Sequence, residues 1–136
     1  LKPAWTCFAT GAAGTLSALV LAALGHAQYA DYRARAESGG MLLQLAPLQQ
    51  QIAARAMASK SFSGVGKGLN TALHDLSLPA ALQVQDNGTL LAWGRHQQLI
   101  VLLPQFDAAG HVVWTCAGGS ASDVPAACRT PATPNP

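Results

Sequence analysis

The hydrophobic pattern of the chain changes character twice. Residues 3–25 carry no charged side chain and are apolar or small almost throughout. As a helix they would run roughly 34 Å, about the thickness of a bilayer's hydrocarbon core. The pattern therefore predicts a membrane-spanning half of an N-terminal helix over 1–27. Small residues (Ala4, Ala9, Gly11, Ala12, Ala13, Gly14, Ala18, Ala22, Ala23) recur within it, and such side chains let other helices approach closely. From Gln28 the sequence turns polar without losing helical character. Leu42, Leu45, Leu48, Ile52 and Ala56 then recur at three- and four-residue steps, with Gln44, Gln49, Gln50, Gln51 and Arg55 largely elsewhere. This predicts an amphipathic half over 28–58 that lays one face on a sheet. Gly39, Gly40 and Pro47 predict curvature within one helix, with two short helices as the alternative.

Beyond the helix the pattern shortens. Residues 59–70 are loop by composition, rich in glycine and serine, and a helical turn over 71–76 ended by Pro79 completes a connection over 59–80. Leu82 and Val84 alternate with polar neighbours, Asp86-Asn87-Gly88 is a hairpin turn, and residues 89–93 lead back. Residues 99–103 form a compact apolar strand, 107–110 a turn, and 111–116 a last alternating strand. The fold class is α+β: a long N-terminal helix packed on a three- to four-stranded antiparallel sheet over 81–129, followed by a Pro-rich flexible tail over 130–136.

A chain of 136 residues that gives its first segment to a non-core stretch leaves only a small domain, which buries little surface and tends to need a staple. Charged residues make up 10% and the net charge is +2, which excludes a dedicated nucleic-acid binder and an acidic tail. Of the three cysteines, Cys7 lies in the apolar segment as a packing residue, while Cys116 and Cys128 have eleven residues between them. That spacing does not suit a CxxC zinc site. A disulfide is the favoured reading and two unpaired buried thiols the alternative; such a bond stabilises by about 3 kcal/mol and implies an oxidising compartment. A secretory signal peptide ending near Ala27 competes with the membrane span, opposed by its length. His26, His74, His96 and His111 are scattered with no HExxH, GxSxG or other nucleophile motif, so no catalytic, metal or cofactor residue is assigned and the chain is not expected to be an enzyme. Asp31 and Glu37 read as a solvated helix face. Lys60, Lys67, Arg95 and His96 would make at most a modest basic patch for DNA. Asn87 lies in an N-x-T sequon that its turn chemistry already explains.

The C-terminal segment Val113-Trp114-Thr115-Cys116, followed by Ser122-Asp123-Val124-Pro125-Ala126-Ala127-Cys128-Arg129, resembles the disulfide loop of type IV pilins, the subunits of bacterial type IV pili, and their minor-pilin relatives. In that family a Trp-Thr-Cys strand end meets a Leu-Pro-x-x-Cys-Arg ending. Gln28-Tyr29-Ala30-Asp31-Tyr32-Arg33-Ala34-Arg35 is similar to the family's Gln-Tyr-x-x-Tyr-x-Ala-Arg just beyond the membrane. The Asn87-Gly88-Thr89 turn and the Leu102-Leu103-Pro104 strand end fit as well. The family's Phe-Thr-Leu-Ile-Glu-Leu start does not occur in Leu1-Lys2-Pro3-Ala4-Trp5-Thr6; Trp5 or Thr10, depending on the point of alignment, stands where the family has glutamate.

The resemblance implies a structural subunit of a surface filament for adhesion, twitching motility or DNA uptake. It would be held in the inner membrane before assembly and become extracellular afterwards. Its partners would be other copies or other pilins and the assembly machinery, met through an N-terminal helix in which Trp5, Gly11, Gly14, Leu16, Leu19 and Leu24 form the filament-core contact. It also implies the Cys116–Cys128 pairing, and Thr130 and Thr133 are candidate glycosylation positions. The alternatives are a minor or initiating pilin, and a periplasmic membrane-tethered adhesin or sensor domain that does not polymerise.

Overall fold

The computed structural model describes residues 2–69, 79–119 and 123–129, with side chains from residue 14 onward in the helix. It is α+β: helix α1 (Lys2–Ser59), then strands β1 (Ala81–Val84), β2 (Leu90–Trp93), β3 (Leu99–Phe106) and β4 (Val112–Gly118), and a 3-10 turn at Ala126–Cys128. The expected turn at 71–76, the tail with Thr130 and Thr133, and the side chains of Trp5, Cys7 and Gly11 lie outside the described residues. The chain divides into two compact units, Leu1–Arg33 and Ala34–Pro136.

The described residues of the first unit are helical. Its described apolar side chains are exposed: Leu16 65%, Leu19 66%, Val20 59%, Leu21 70% and Leu24 58%. Arg33 places its guanidinium 5.9 Å from the centre of the Tyr29 ring one turn back, a cation–π contact. Among the described residues no helix is long and apolar enough to cross a membrane; the first thirteen side chains of the expected span over 1–27 lie outside the described residues.

The second unit carries the core. Along α1, Ala34, Ser38, Met41, Leu45, Leu48, Ile52 and Ala56 are all buried, an unbroken series of four- and three-residue steps. The stripe is headed by Met41, with Leu42 only partly buried beside it, which corrects the predicted register at that end by one residue. α1 is continuous through Gly39, Gly40 and Pro47, excluding the two-helix alternative. Pro47 and Leu43 both face solvent, so the Leu43 carbonyl that loses its helical donor at Pro47 meets water rather than the core. The helix stops where Lys60 adopts φ 52° and the Ser61 N–H bonds the Ala56 carbonyl at 3.2 Å, a Schellman-type ending. Ser59 Oγ donates to the Arg55 carbonyl, 2.9 Å away.

The sheet is an antiparallel meander in the order β1-β2-β3-β4. Its registers align Val84 with Leu90, Leu90 with Leu102, and Leu102 with Cys116, one inward row that ends at the disulfide. A second row runs Leu82, Ala92, Ile100, Gly118. Burying side chains such as Leu90 and Ile100 against Leu45 and Ile52 is worth about 1.5–3 kcal/mol each. β3 extends to Phe106 and β4 to Gly118, beyond the expected ends at Leu103 and Cys116. Pro104 is tolerated because β2 stops pairing at Leu102, leaving that stretch of β3 an edge on one side.

Candidate functional site

Three features stand out, and none is a pocket with chemistry. The first is the exposed surface of the N-terminal unit. Leu16, Leu19, Val20 and Leu24 share one helix face at spacings of three, four and eight, with about 100° per residue, and Leu21, three residues before Leu24, borders it. Each is more than half exposed. Sequence reasoning singled out Leu16, Leu19 and Leu24 and missed Val20, which the same spacing would have found. Gly14 leaves open space around its backbone.

The second feature is the C-terminal loop. Cys116 and Cys128 are disulfide-bonded across a sequence separation of 12, with Cα atoms 4.5 Å apart. Cys128 and Val124 are fully buried. Val124 sits over Gly118, where a Cβ would come within 2.8 Å of Val124 Cγ1; the absence of a side chain on β4 thus makes the seat for the loop. Ser38 Oγ donates to the Asp123 carbonyl at 2.6 Å, tying the loop to α1, and Arg129 Nε donates to the Val124 carbonyl at 3.4 Å. Ser38 carried no signal in the sequence.

The third is the β2–β3 turn over 94–98. The Arg95 N–H donates to Glu37 Oε1 at 2.7 Å, and His96 Nδ1 pairs with Glu37 Oε2. Gln98 is 1% exposed; its Nε2 donates to the Ala34 carbonyl at 3.3 Å and its Oε1 accepts the His96 N–H at 2.9 Å. A Cβ at Gly94 would fall 2.3 Å from the Gln98 amide, so only glycine lets this side chain fold under the turn. Burial pushes the Glu37 carboxyl up, but the Arg95 N–H and the His96 ring outweigh it and hold the group below its ordinary value. Glu37 is therefore a docking residue, not the solvated face the sequence suggested; its side chain is 9% exposed.

The loop after α1 is pinned at its own end. Arg55 Nη1 donates to the Val65 and Lys67 carbonyls at 3.2 and 2.9 Å, and the Gly66 N–H bonds the Asp86 carbonyl at 3.1 Å. The Asn87 amide oxygen accepts the Thr89 N–H at 3.0 Å, and Gly88 adopts φ 86°, as the hairpin reading required. Asp107 accepts the Ala109 and His111 N–H groups, 2.9 and 2.8 Å away. The His111 N–H is the main reason its carboxyl lies below the ordinary value.

The four residues of the suggested basic patch are not brought together. Arg95 and His96 dock at Glu37, whereas Lys60 follows the end of α1, roughly 34 Å along the helix axis. His26 and His111 are exposed, and His74 lies outside the described residues. Among the described residues no cluster of three or more metal-ligating side chains occurs, and no buried side-chain nitrogen or oxygen lacks a partner. A shallow cavity of about 330 Å³ is lined by Met57, Lys60, Phe106, Ala109 and Gly110. Compared with known proteins, the chain matches no family model, no curated protein and no solved structure.

Proposed function

We propose that this chain is a structural subunit of a surface filament of the type IV pilus kind, assembled by packing its N-terminal helix against the same helix of other subunits. The observation that carries the reading is the row of exposed apolar side chains at Leu16, Leu19, Val20 and Leu24. A contiguous apolar surface of this kind is unfavourable in water and marks an interaction surface. A second observation supports it: the sheet domain is stapled by the Cys116–Cys128 disulfide, as suits a small domain working in an oxidising, extracellular setting. In this reading the helix is held in the inner membrane before assembly, and adhesion, motility or DNA uptake belongs to the filament rather than to a site in one subunit.

The position of Trp5 and Thr10, where the family has glutamate, favours one variant reading. An initiating subunit at a filament end has no neighbour on one side and so needs no charge to pair with a neighbour's terminal amine. The test is immunogold labelling of filaments sheared from the producing cells. Label along the whole length establishes a main subunit, and label at tips alone an initiating one. Complete absence from sheared filaments overturns the proposal in favour of a tethered domain that does not polymerise.

A further inference from the structure

We propose that Glu37 is a proton-operated latch that fastens the β2–β3 turn to α1 and releases it in acid. This goes beyond the assembly reading and does not depend on it, since Glu37, Arg95, His96 and Gln98 all lie within the second compact unit.

The argument begins with what holds the turn. Arg95, His96 and Gln97 are all exposed and contribute nothing to the apolar core. The turn is held by polar contacts that converge on one helical turn of α1. One Glu37 oxygen takes the Arg95 N–H and the other pairs with the His96 ring, while buried Gln98 reaches the Ala34 carbonyl. Gln97 sits at φ 63°, a left-handed conformation that a side chain other than glycine, asparagine or aspartate rarely adopts, and whose cost the docking contacts must offset. A carboxylate can accept from both donors at once. A protonated carboxyl keeps less acceptor capacity and loses its attraction for a charged ring. The Glu37 carboxyl therefore holds the turn differently in its two protonation states.

The charged groups around Glu37 are consistent with this. Arg95 and His96 face it from the turn, His96 adding its attraction when its ring is protonated. On α1, Arg33 and Arg35 flank it in sequence. From the C-terminal loop, the Asp123 carbonyl accepts from Ser38, the next residue along α1. With Glu37 held below its ordinary value in the folded chain, its carboxylate is ionised and able to accept from both partners above the ordinary carboxylate range. That capacity is lost as pH falls through the lowered value. Release frees the 94–98 turn, uncovers Gln98 and opens that end of the helix–sheet core to water, while the Ser38 contact and the disulfide keep the C-terminal loop in place.

The experiment is a pH titration of the full chain in detergent micelles, followed by amide NMR. Above about pH 5 the Arg95 amide should be shifted downfield and protected from exchange. Through the Glu37 titration its shift should move and its protection, corrected for intrinsic rates, should fall about tenfold, while the Leu102 amide stays unchanged. Glu37→Gln should abolish the step and leave Arg95 about tenfold less protected at neutral pH. A flat Arg95 titration in the parent chain, or an unaltered step in Glu37→Gln, overturns the latch. Should Glu37→Gln not fold, the parent titration decides alone.

Discussion

Replacing Ser38 by alanine removes a hydrogen bond that ties α1 to the disulfide loop. Ser38 is fully buried and its hydroxyl lies 2.6 Å from the Asp123 carbonyl, 85 residues away in sequence. The substitution removes a hydrogen bond worth about 1 kcal/mol net and adds the cost of leaving a part-buried acceptor without that donor, about 1 kcal/mol more. Alanine is a better helix former than serine by a few tenths of a kcal/mol, which offsets little. The expected loss is about 2 kcal/mol. In urea unfolding, with a slope of about 1–1.5 kcal/mol per molar for a domain of this size, the midpoint should drop by roughly 1.3–2 M. The same change made in a chain lacking the disulfide should cost less than half as much, because an untethered loop holds the Asp123 carbonyl in place only part of the time. A midpoint within about 0.2 M of the parent, or an equal loss in both backgrounds, would refute the claim that Ser38 and the disulfide act on one loop.

Cys116→Ser with Cys128→Ser should lower stability by about 3 kcal/mol, the loop-closure value for a cross-link of this length; denaturant unfolding under non-reducing conditions checks it. Gly66→Ala should cost more than about 3 kcal/mol, because a Cβ there would lie 1.8 Å from the Gln85 carbonyl oxygen; thermal unfolding reads the loss. Ile52→Ala, at a fully buried position whose Cγ2 sits where a Gly88 Cβ would come within 2.8 Å, should cost about 2–4 kcal/mol by the same measurement.

How far these features were readable before folding differs from element to element. Leu45, Leu48, Ile52 and Ala56 announce themselves because a bulky apolar residue every three or four positions has little other meaning. The head of the same stripe does not: Met41 and Leu42 are adjacent and both apolar, and its continuation through Ser38 to Ala34 carries no bulk. The turns at Asn87-Gly88 and 107–110 are legible because glycine supplies φ near 85° at each. The β2–β3 turn was not, because Gln97 takes the left-handed position without a glycine to mark it. Its dock on Glu37 is set by which loop of the meander comes back to which turn of α1, 58 residues away for the Arg95 contact, and no local pattern encodes that. The disulfide partners were legible, but the seat of their loop on Gly118 and Ser38 was not.

The most direct test of the account places a photo-crosslinking amino acid at Leu19 in the producing cells, with Gln105 on exposed β3 as the control position. Irradiation should link position 19 to a second copy of the same chain and give a ladder of self-adducts, with few or none from position 105. Adducts of position 19 to lipid alone, or to no protein at all, would contradict assembly through this helix.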